Sequence, residues 1–215
     1  METLSVILAQ LQSGDWASSI DLADAYLHIP VHQDSSLFLC SRFDGVSYRF
    51  TALPFGLSTA PRSFTRVTRA MVACLRRQGV RIFTYLDDWL IVGRSREETI
   101  RSTQATLRLA DELGWLVNQV KSELTPSQRV TYLGAEMDLV QDLVFPTRER
   151  VESLTSGVLL VQRHFPLPAR AWLVLLGFMA KLGSEARRYW FAATAQQQWR
   201  TSIVRAARAQ CAFGQ

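Results

Sequence analysis

The chain has 215 residues, 48% of them hydrophobic and 20% charged, enough apolar material for one or two packed domains and too much for wholesale disorder. Its net charge is +5 and all its basic residues but Lys121 and Lys181 are arginine, which suits a phosphate-bearing partner as well as it suits a solvated arginine-rich surface. No apolar run reaches the ~18–20 residues of a membrane span, Met1-Glu2-Thr3-Leu4 lacks the basic and apolar regions of a secretory signal, and Cys40, Cys74 and Cys211 lie far apart, so no membrane partner is expected and the expected setting is intracellular, cytoplasm or nucleus.

Leu4, Ile7, Leu8 and Leu11 recur at helical spacing, and Ser13-Gly14 stops that helix. Trp16 to Leu22 reads as a short buried strand and Tyr48 to Thr51 as another, followed by a turn at Pro54-Phe55-Gly56. A helix is predicted from about Ala60 to Gln78, with Phe64, Val67, Met71, Val72 and Leu75 on one face and Gly79 at its end. Arg81 to Leu86 and Trp89 to Gly93 flank Asp87-Asp88, the pattern of a tight hairpin with carboxylates at its tip. Ser95 then caps a helix to about Leu113, with Glu97 and Glu98 in its first turn, and Gly114 ends it. Strand-like pieces follow at Trp115–Val117, Val130–Leu133 and Leu143–Phe145. Beyond Pro146 only helical patterns remain, at about Thr147–His164, Ala169–Leu182 and Glu185–Ala209. The expected division is residues 1–146, mixed in an α+β manner, and 147–215, all helical.

The chemistry lies in the carboxylates. Asp87 and Asp88 interrupt an apolar run, Ile82 to Leu86 before them and Trp89 to Val92 after. Adjacent carboxylates repel, and burying them is costly unless a cation compensates. Hard divalent ions such as Mg²⁺ or Mn²⁺ take oxygen ligands and few protein carboxylates, and a pair of them clamps the attacking and leaving oxygens of an in-line phosphoryl displacement. An ordinary Asp-rich turn is the competing reading, although hairpin turns favour Gly or Asn. Asp21 taken alone reads as a strand-end turn residue, with Asp24 three positions on; combined with Asp87-Asp88 it reads as part of a metal site.

Five segments, in order, carry a resemblance. They are Asp21-Leu22-Ala23-Asp24-Ala25-Tyr26, Leu53 to Pro61, Tyr85-Leu86-Asp87-Asp88, Gly114 to Lys121, and Tyr132-Leu133-Gly134. Together they resemble the motifs of a reverse transcriptase palm, most like retrotransposons of the DIRS type, with gypsy-type LTR elements and retroviruses more distant. The resemblance implies an α+β polymerase palm, an antiparallel sheet with packed helices, followed by a helical thumb or connection. It implies an RNA-directed DNA polymerase that uses two Mg²⁺ or Mn²⁺ ions, a dNTP, and a primer on an RNA or DNA template. It makes Asp21, Asp87 and Asp88 catalytic metal ligands, with the Leu22 carbonyl as a further metal contact, and Lys121 a general acid beside the leaving pyrophosphate. Asp24, Ala25 and Tyr26 would line the nucleotide pocket, Tyr26 under the incoming sugar. Phe55 and Gly56 would pack on the nascent base pair, and Leu133 and Gly134 would grip the primer. Arg148, Arg150, Arg163 and Arg170 in the helical tail could follow a duplex backbone. Tyr26 also reads as a core tyrosine, Lys121 as a surface lysine and the tail arginines as a solvated face.

The chain departs from the resemblance in places. Cys40 stands where the family pattern leads one to expect an arginine. In such proteins a fingers segment precedes the first helix, so fingers are expected to be largely absent and the chain to be an N-terminally truncated fragment, a gene opened at an internal Met, or a degraded copy. After residue 150 the only acids are Glu152 and Glu185, too few for a ribonuclease H site. The alternative to a polymerase is a catalytically inactive remnant that binds nucleic acid or a partner. Oligomeric state is left open.

Overall fold

The computed structural model describes residues 2–163. In chain order the elements are α1 (Leu4–Leu8), β1 (Trp16–Asp21), a 3-10 turn (Ala25–His28), α2 (Gln33–Ser36), β2 (Cys40–Phe43), β3 (Val46–Arg49), α3 (Ala60–Arg77), β4 (Arg81–Tyr85), β5 (Asp88–Gly93), α4 (Arg96–Glu112), β6 (Glu123–Ser127), β7 (Arg129–Tyr132), β8 (Ala135–Asp138), β9 (Leu143–Pro146) and α5 (Arg148–Arg163). They divide into two compact units, one of Met1–Thr3 and Gly14–Val130, the other of Leu4–Ser13 and the chain from Thr131.

The first unit is built on an antiparallel sheet in the order β4-β5-β1-β6. Side chains alternate across a strand, so the pairings Ile82↔Ile91 and Ile20↔Trp89 put these four on one face. That face meets Phe64, Met71, Val72 and Leu75 of α3 and Ala110 of α4, forming the buried core. At roughly 1.5–3 kcal/mol for each large apolar side chain removed from water, this cluster is the main stabilising term of the unit. Pro126 sits in β6, an edge strand, where the missing N–H costs no ladder bond.

α4 approaches the sheet through small and hydroxylated residues. Ser18 Oγ lies 2.6 Å from Thr103 Oγ1, both buried. Thr99, Thr103 and Thr106 each donate their hydroxyl to the carbonyl four residues back, so none of these buried oxygens is stranded. Gly93 is required here because a Cβ on it would stand 2.9 Å from the Thr99 backbone nitrogen. Ser95 caps α4 by accepting from Glu98 N–H, as the sequence implies.

α2, β2, β6 and β8 escape the sequence pattern, and two expected strands are displaced. β2 and β3 form a hairpin turned by Asp44 (φ 46°) and Gly45 (φ 75°), and all eight strand residues are exposed, so no burial alternation marks them. The strand expected at 48–51 therefore ends at Arg49. Residues 51–53 instead bond back to residues 29–31, with Val31 N–H donating to Thr51 O and Leu53 N–H to Ile29 O. The strand expected at 115–117 reduces to one bridge, Leu22↔Val117, because a side-chain-capped turn begins at once at Asn118.

In the second unit, β7, β8 and β9 form a three-stranded sheet in that order. Leu133 (φ 48°) and Gly134 (φ 71°) make its first turn, both left-handed, which matches strand twist. The strand-to-helix change falls between Pro146 and Arg148, whereas the compact units divide at Val130 and Thr131. The expected helices at 169–182 and 185–209 lie outside the described residues. Among the described residues no helix is long and apolar enough to cross a membrane. The antiparallel sheets with packed helices make the fold α+β.

Candidate active site

Strand register gathers the carboxylates. Asp88 opens β5 and pairs with Tyr85 on one side and Asp21 on the other. Directly opposed residues hold their Cβ atoms ~5 Å apart, so Tyr85, Asp88 and Asp21 form a row on the sheet face away from α3 and α4. Asp87 occupies the two-residue turn, and its carbonyl accepts from Leu22 N–H at 3.0 Å, tying the turn to the end of β1. Leu86, the first turn residue, has φ 55°, a conformation that costs a branched side chain of order 1–3 kcal/mol. The turn is held in part by Trp89, fully buried, whose Nε1–H donates to Leu86 O at 2.9 Å.

The electrostatics follow. Burial first, then Asp87 and Asp21, raise the Asp88 carboxyl from 3.8 to about 6, against a lowering by Lys121. Burial also raises Asp21; Lys121 opposes this, Asp87 adds to it, and a hydrogen bond from the Asn118 side chain lowers it. Burial, Asp87 and Tyr85 hold the Tyr26 phenol above its ordinary value. Asp21, Tyr26, Asp87, Asp88 and Lys121 are thus near enough to feel one another, although Lys121 is exposed.

Asn118 and Ser122 are supports that sequence reasoning missed. Asn118 N–H donates to Asp21 O at 2.8 Å, and Ser122 Oγ accepts from Asp21 N–H at 3.0 Å. Asn118 Oδ1 accepts from the N–H groups of Val120 and Lys121, both at 3.2 Å. One side chain therefore shapes the turn that presents Lys121 and also touches the Asp21 carboxylate. The signal was an Asn opening a short polar stretch after an apolar one, an Asx-turn pattern.

The nucleotide-side candidates cluster in the same unit. Asp24 takes the left-handed conformation (φ 49°) and its carbonyl accepts from Leu27 N–H at 2.7 Å, starting the 3-10 turn that contains Ala25 and Tyr26. Ala25 and Leu22 are buried, Asp24 is exposed and Tyr26 is half-buried. The Tyr26 ring lies between Phe55 (centroids 5.2 Å) and Phe64 (5.6 Å, edge-on). Phe64 in turn meets Trp115 at 5.6 Å, and Trp115 meets His28 at 4.9 Å, while His28 Nε2–H donates to Ala23 O. Phe64, Trp115 and His28, unlike Tyr26 and Phe55, are site supports that sequence reasoning missed; they brace the 21–28 segment. Phe55 is 66% exposed, and Gly56 after it has φ 89°, which only glycine adopts freely.

Leu133 and Gly134 lie in the second unit, at the β7–β8 turn. Arg150 Nη2 donates to Leu133 O, and a Cβ on Gly134 would run into the Arg150 guanidinium. Arg148 pairs with Glu152 at 2.7 Å. Arg148 and Arg150 are thus engaged within the chain. Nothing is described of the Arg163 side chain, and Arg170 lies outside the described residues.

Among the described residues no three His, Cys, Asp or Glu side chains converge in the manner of a ready metal cage. What is present is a small set of hard oxygen donors that destabilise one another's charge, Asp21 with Asp87 and Asp88. That donor set does not suit a structural zinc site, which needs four N or S ligands. It does suit Mg²⁺ or Mn²⁺, which bind through one or two carboxylates and fill the remaining positions with water and substrate oxygens.

Comparison with known proteins gives the family and the fold. The family model described as "Reverse transcriptase (RNA-dependent DNA polymerase)" matches residues 1–137. The Gag-Pol polyprotein of walleye dermal sarcoma virus is 27% identical over 164 residues, 76% of this chain and 9% of that polyprotein. The transposon Tf2-3 polyprotein of Schizosaccharomyces pombe is 27% identical over 128 residues, 60% of this chain and 9% of the polyprotein. A foamy viral protease-reverse transcriptase, solved in complex with an RNA/DNA hybrid, shares the fold with a TM-score of 0.65 at 23% identity, over 82% of this chain and 22% of that one. The chain spans about a tenth of the length of these polyproteins. With the family model matching most of its length, the chain belongs to the reverse transcriptase family of nucleotidyltransferases.

Proposed function

We propose that the chain is an RNA-directed DNA polymerase domain of a retrotransposon, of the DIRS type, that extends a primer 3′-hydroxyl with dNTPs on an RNA or DNA template. The observation that carries this reading is the row Tyr85–Asp88–Asp21 with Asp87 tied to its end by Leu22 N–H. Residues 1–146 would act as the palm and 147–215 as a thumb or connection.

Asp21 and Asp87, with the Leu22 carbonyl, would hold two divalent ions, and Asp88 would stand behind them as the third carboxylate. When bound, such ions neutralise the phosphates and make the primer hydroxyl a better nucleophile. The chain's own residues position the reactants, which is most of what phosphoryl transfer requires. Backbone N–H groups near Asp24 and Ala25 would receive the triphosphate. Tyr26, wedged between Phe55 and Phe64, presents a fixed aromatic edge under the sugar, and Phe55 and Gly56 would pack on the nascent pair. Lys121 would give a proton to the departing pyrophosphate. Leu133 and Gly134 would steady the primer strand.

Primer extension on an RNA template with Mg²⁺ or Mn²⁺ tests this. The wild-type chain is expected to extend and Asp87→Asn is not. If the two extend equally poorly, the polymerase reading of this chain fails, and the non-catalytic nucleic-acid-binding reading takes its place.

A further inference from the structure

Between Asp44 and Asp87 the chain has seven arginines and no Asp or Glu. That segment alone exceeds the net +5 of the whole protein, so the remainder is net negative. Five of the seven, Arg62, Arg66, Arg69, Arg76 and Arg77, lie on α3. At 3.6 residues per turn they fall within a sector of roughly 100°, opposite the buried Phe64, Thr68, Met71, Val72 and Leu75. Arg62 stands in the first turn of the helix, where the helix dipole disfavours a cation, and no acid stands there to offset it. Arg62, Arg66 and Arg69 are neighbours at three- and four-residue spacing, a like-charge arrangement that destabilises a helix.

Internal partners do not explain the stripe. Arg76 bonds Glu2 at 2.8 Å and the Ile82 carbonyl at 2.7 Å, sealing the outer edge of β4. Arg62, Arg66, Arg69 and Arg77 are exposed, and among the described residues none has an ion-pair partner. A general preference for arginine does not explain it either. α4, of nearly equal length, sets three arginines among four acids, Glu97, Glu98, Asp111 and Glu112.

We infer that the outer face of α3 is a docking surface for a nucleic-acid sugar-phosphate backbone, separate from the carboxylate site. Arg62 and Arg77 are 15 residues apart, about 22 Å of helix, the axial length of about six base pairs. Arg62, Arg66 and Arg69, with Arg77 two turns further on, spread exposed guanidinium groups over that length, and arginine binds the phosphates of a backbone bidentately. The opposite face of the same helix supplies Phe64 to the rings under Tyr26, so one helix links the backbone surface to the nucleotide side.

The test is a salt titration of binding by the full chain to a labelled RNA/DNA hybrid of about 20 base pairs, in EDTA and without dNTP. Removing one arginine–phosphate pair lowers the slope of log K against log salt by about 0.9. Arg66→Gln/Arg69→Gln is expected to lower the slope by about 2 and weaken binding about tenfold or more near 0.1 M salt. Arg101→Gln/Arg108→Gln on α4 removes the same charge and is expected to change the slope by less than about 0.5. The four-site variant Arg62→Gln/Arg66→Gln/Arg69→Gln/Arg77→Gln is expected to lower it by about 3–4. Equal effects from the two double variants, or none from either, overturn the inference. So does binding of poly-glutamate as tight as that of the hybrid, which would assign the face to an acidic protein. Glutamine supports a helix, and the double variants decide the matter even if the four-site variant unfolds. Because no metal or nucleotide is present, Asp87→Asn should give the wild-type slope, so failure here and failure of the polymerase reading are separable.

Discussion

At the start of β1, Asp15 is 1% exposed and its carboxylate is held by Arg81 and Arg94, each at 3.0 Å. At the far end of the same strand, Asp21 faces Asp88 and Asp87, opposed by the Lys121 charge and an Asn118 hydrogen bond. Arg81 opens β4 and Tyr85 closes it; Asp88 opens β5 and Arg94 follows it. The same three strands thus neutralise a carboxylate completely at one end and concentrate carboxylates at the other. The protein has arginines to spare, so the second arrangement is no shortage of cations. It concentrates negative charge at that end, where burial first and the neighbouring carboxylates next raise the carboxyls of Asp21 and Asp88.

The largest expected effect is on chemistry: Asp87→Asn should lower primer extension by about 10³-fold or more while leaving the melting temperature near wild type, measured by single-turnover extension and calorimetry. Next is the compensated end, where Arg81→Met with Arg94→Met strands a buried carboxylate. That double variant should lose about 3–5 kcal/mol by urea denaturation. Smaller again is the support around Asp21. Asn118→Ala should reduce extension about 10–100-fold with little loss of stability, because it frees the Lys121 turn and one contact to Asp21. Ser122→Ala, which frees only the Asp21 N–H, should reduce it less.

The smallest effect has the opposite sign. The Asp88 carboxyl rises from 3.8 unfolded to about 6 folded, so the folded state holds that proton more tightly. The stabilisation this gives is complete below about pH 4 and is lost as pH rises through 6. Without metal, wild-type stability should therefore decline between those values. Asp88→Asn should flatten the decline and be more stable at pH 7, by on the order of 1 kcal/mol after solvent screening. Urea midpoints across pH check it. A destabilised Asp88→Asn would mean that the carboxylate is compensated after all.

Much of the fold was legible because burial leaves a period. Phe64, Met71, Val72 and Leu75 announced α3, and the apolar runs on either side of Asp87-Asp88 announced β4 and β5. β2 and β3 were not legible by the same means, since an exposed hairpin carries no alternation, although Asp44-Gly45 is a turn signal that marks it. The candidate carboxylates were legible because charge inside an apolar run demands a reason. What supports them was not. Asn118 and Ser122 act through hydrogen bonds to the backbone of Asp21, and the partnership of Asp15 with Arg81 and Arg94 joins residues at least 66 positions apart. Register alone brings such pairs together, and composition does not encode it.

The proposed function requires the Asp21–Asp87–Asp88 end to draw a divalent cation that the Asp15 end does not. Paramagnetic broadening by Mn²⁺ in the ¹⁵N–¹H spectrum of the full chain measures this directly. The amides of Leu22, Asp87 and Asn118 should broaden first, those of Arg81 and Arg94 should not, and the effect should vanish in Asp21→Asn/Asp87→Asn. Broadening that is uniform, that begins elsewhere, or that persists in the double variant would contradict the account.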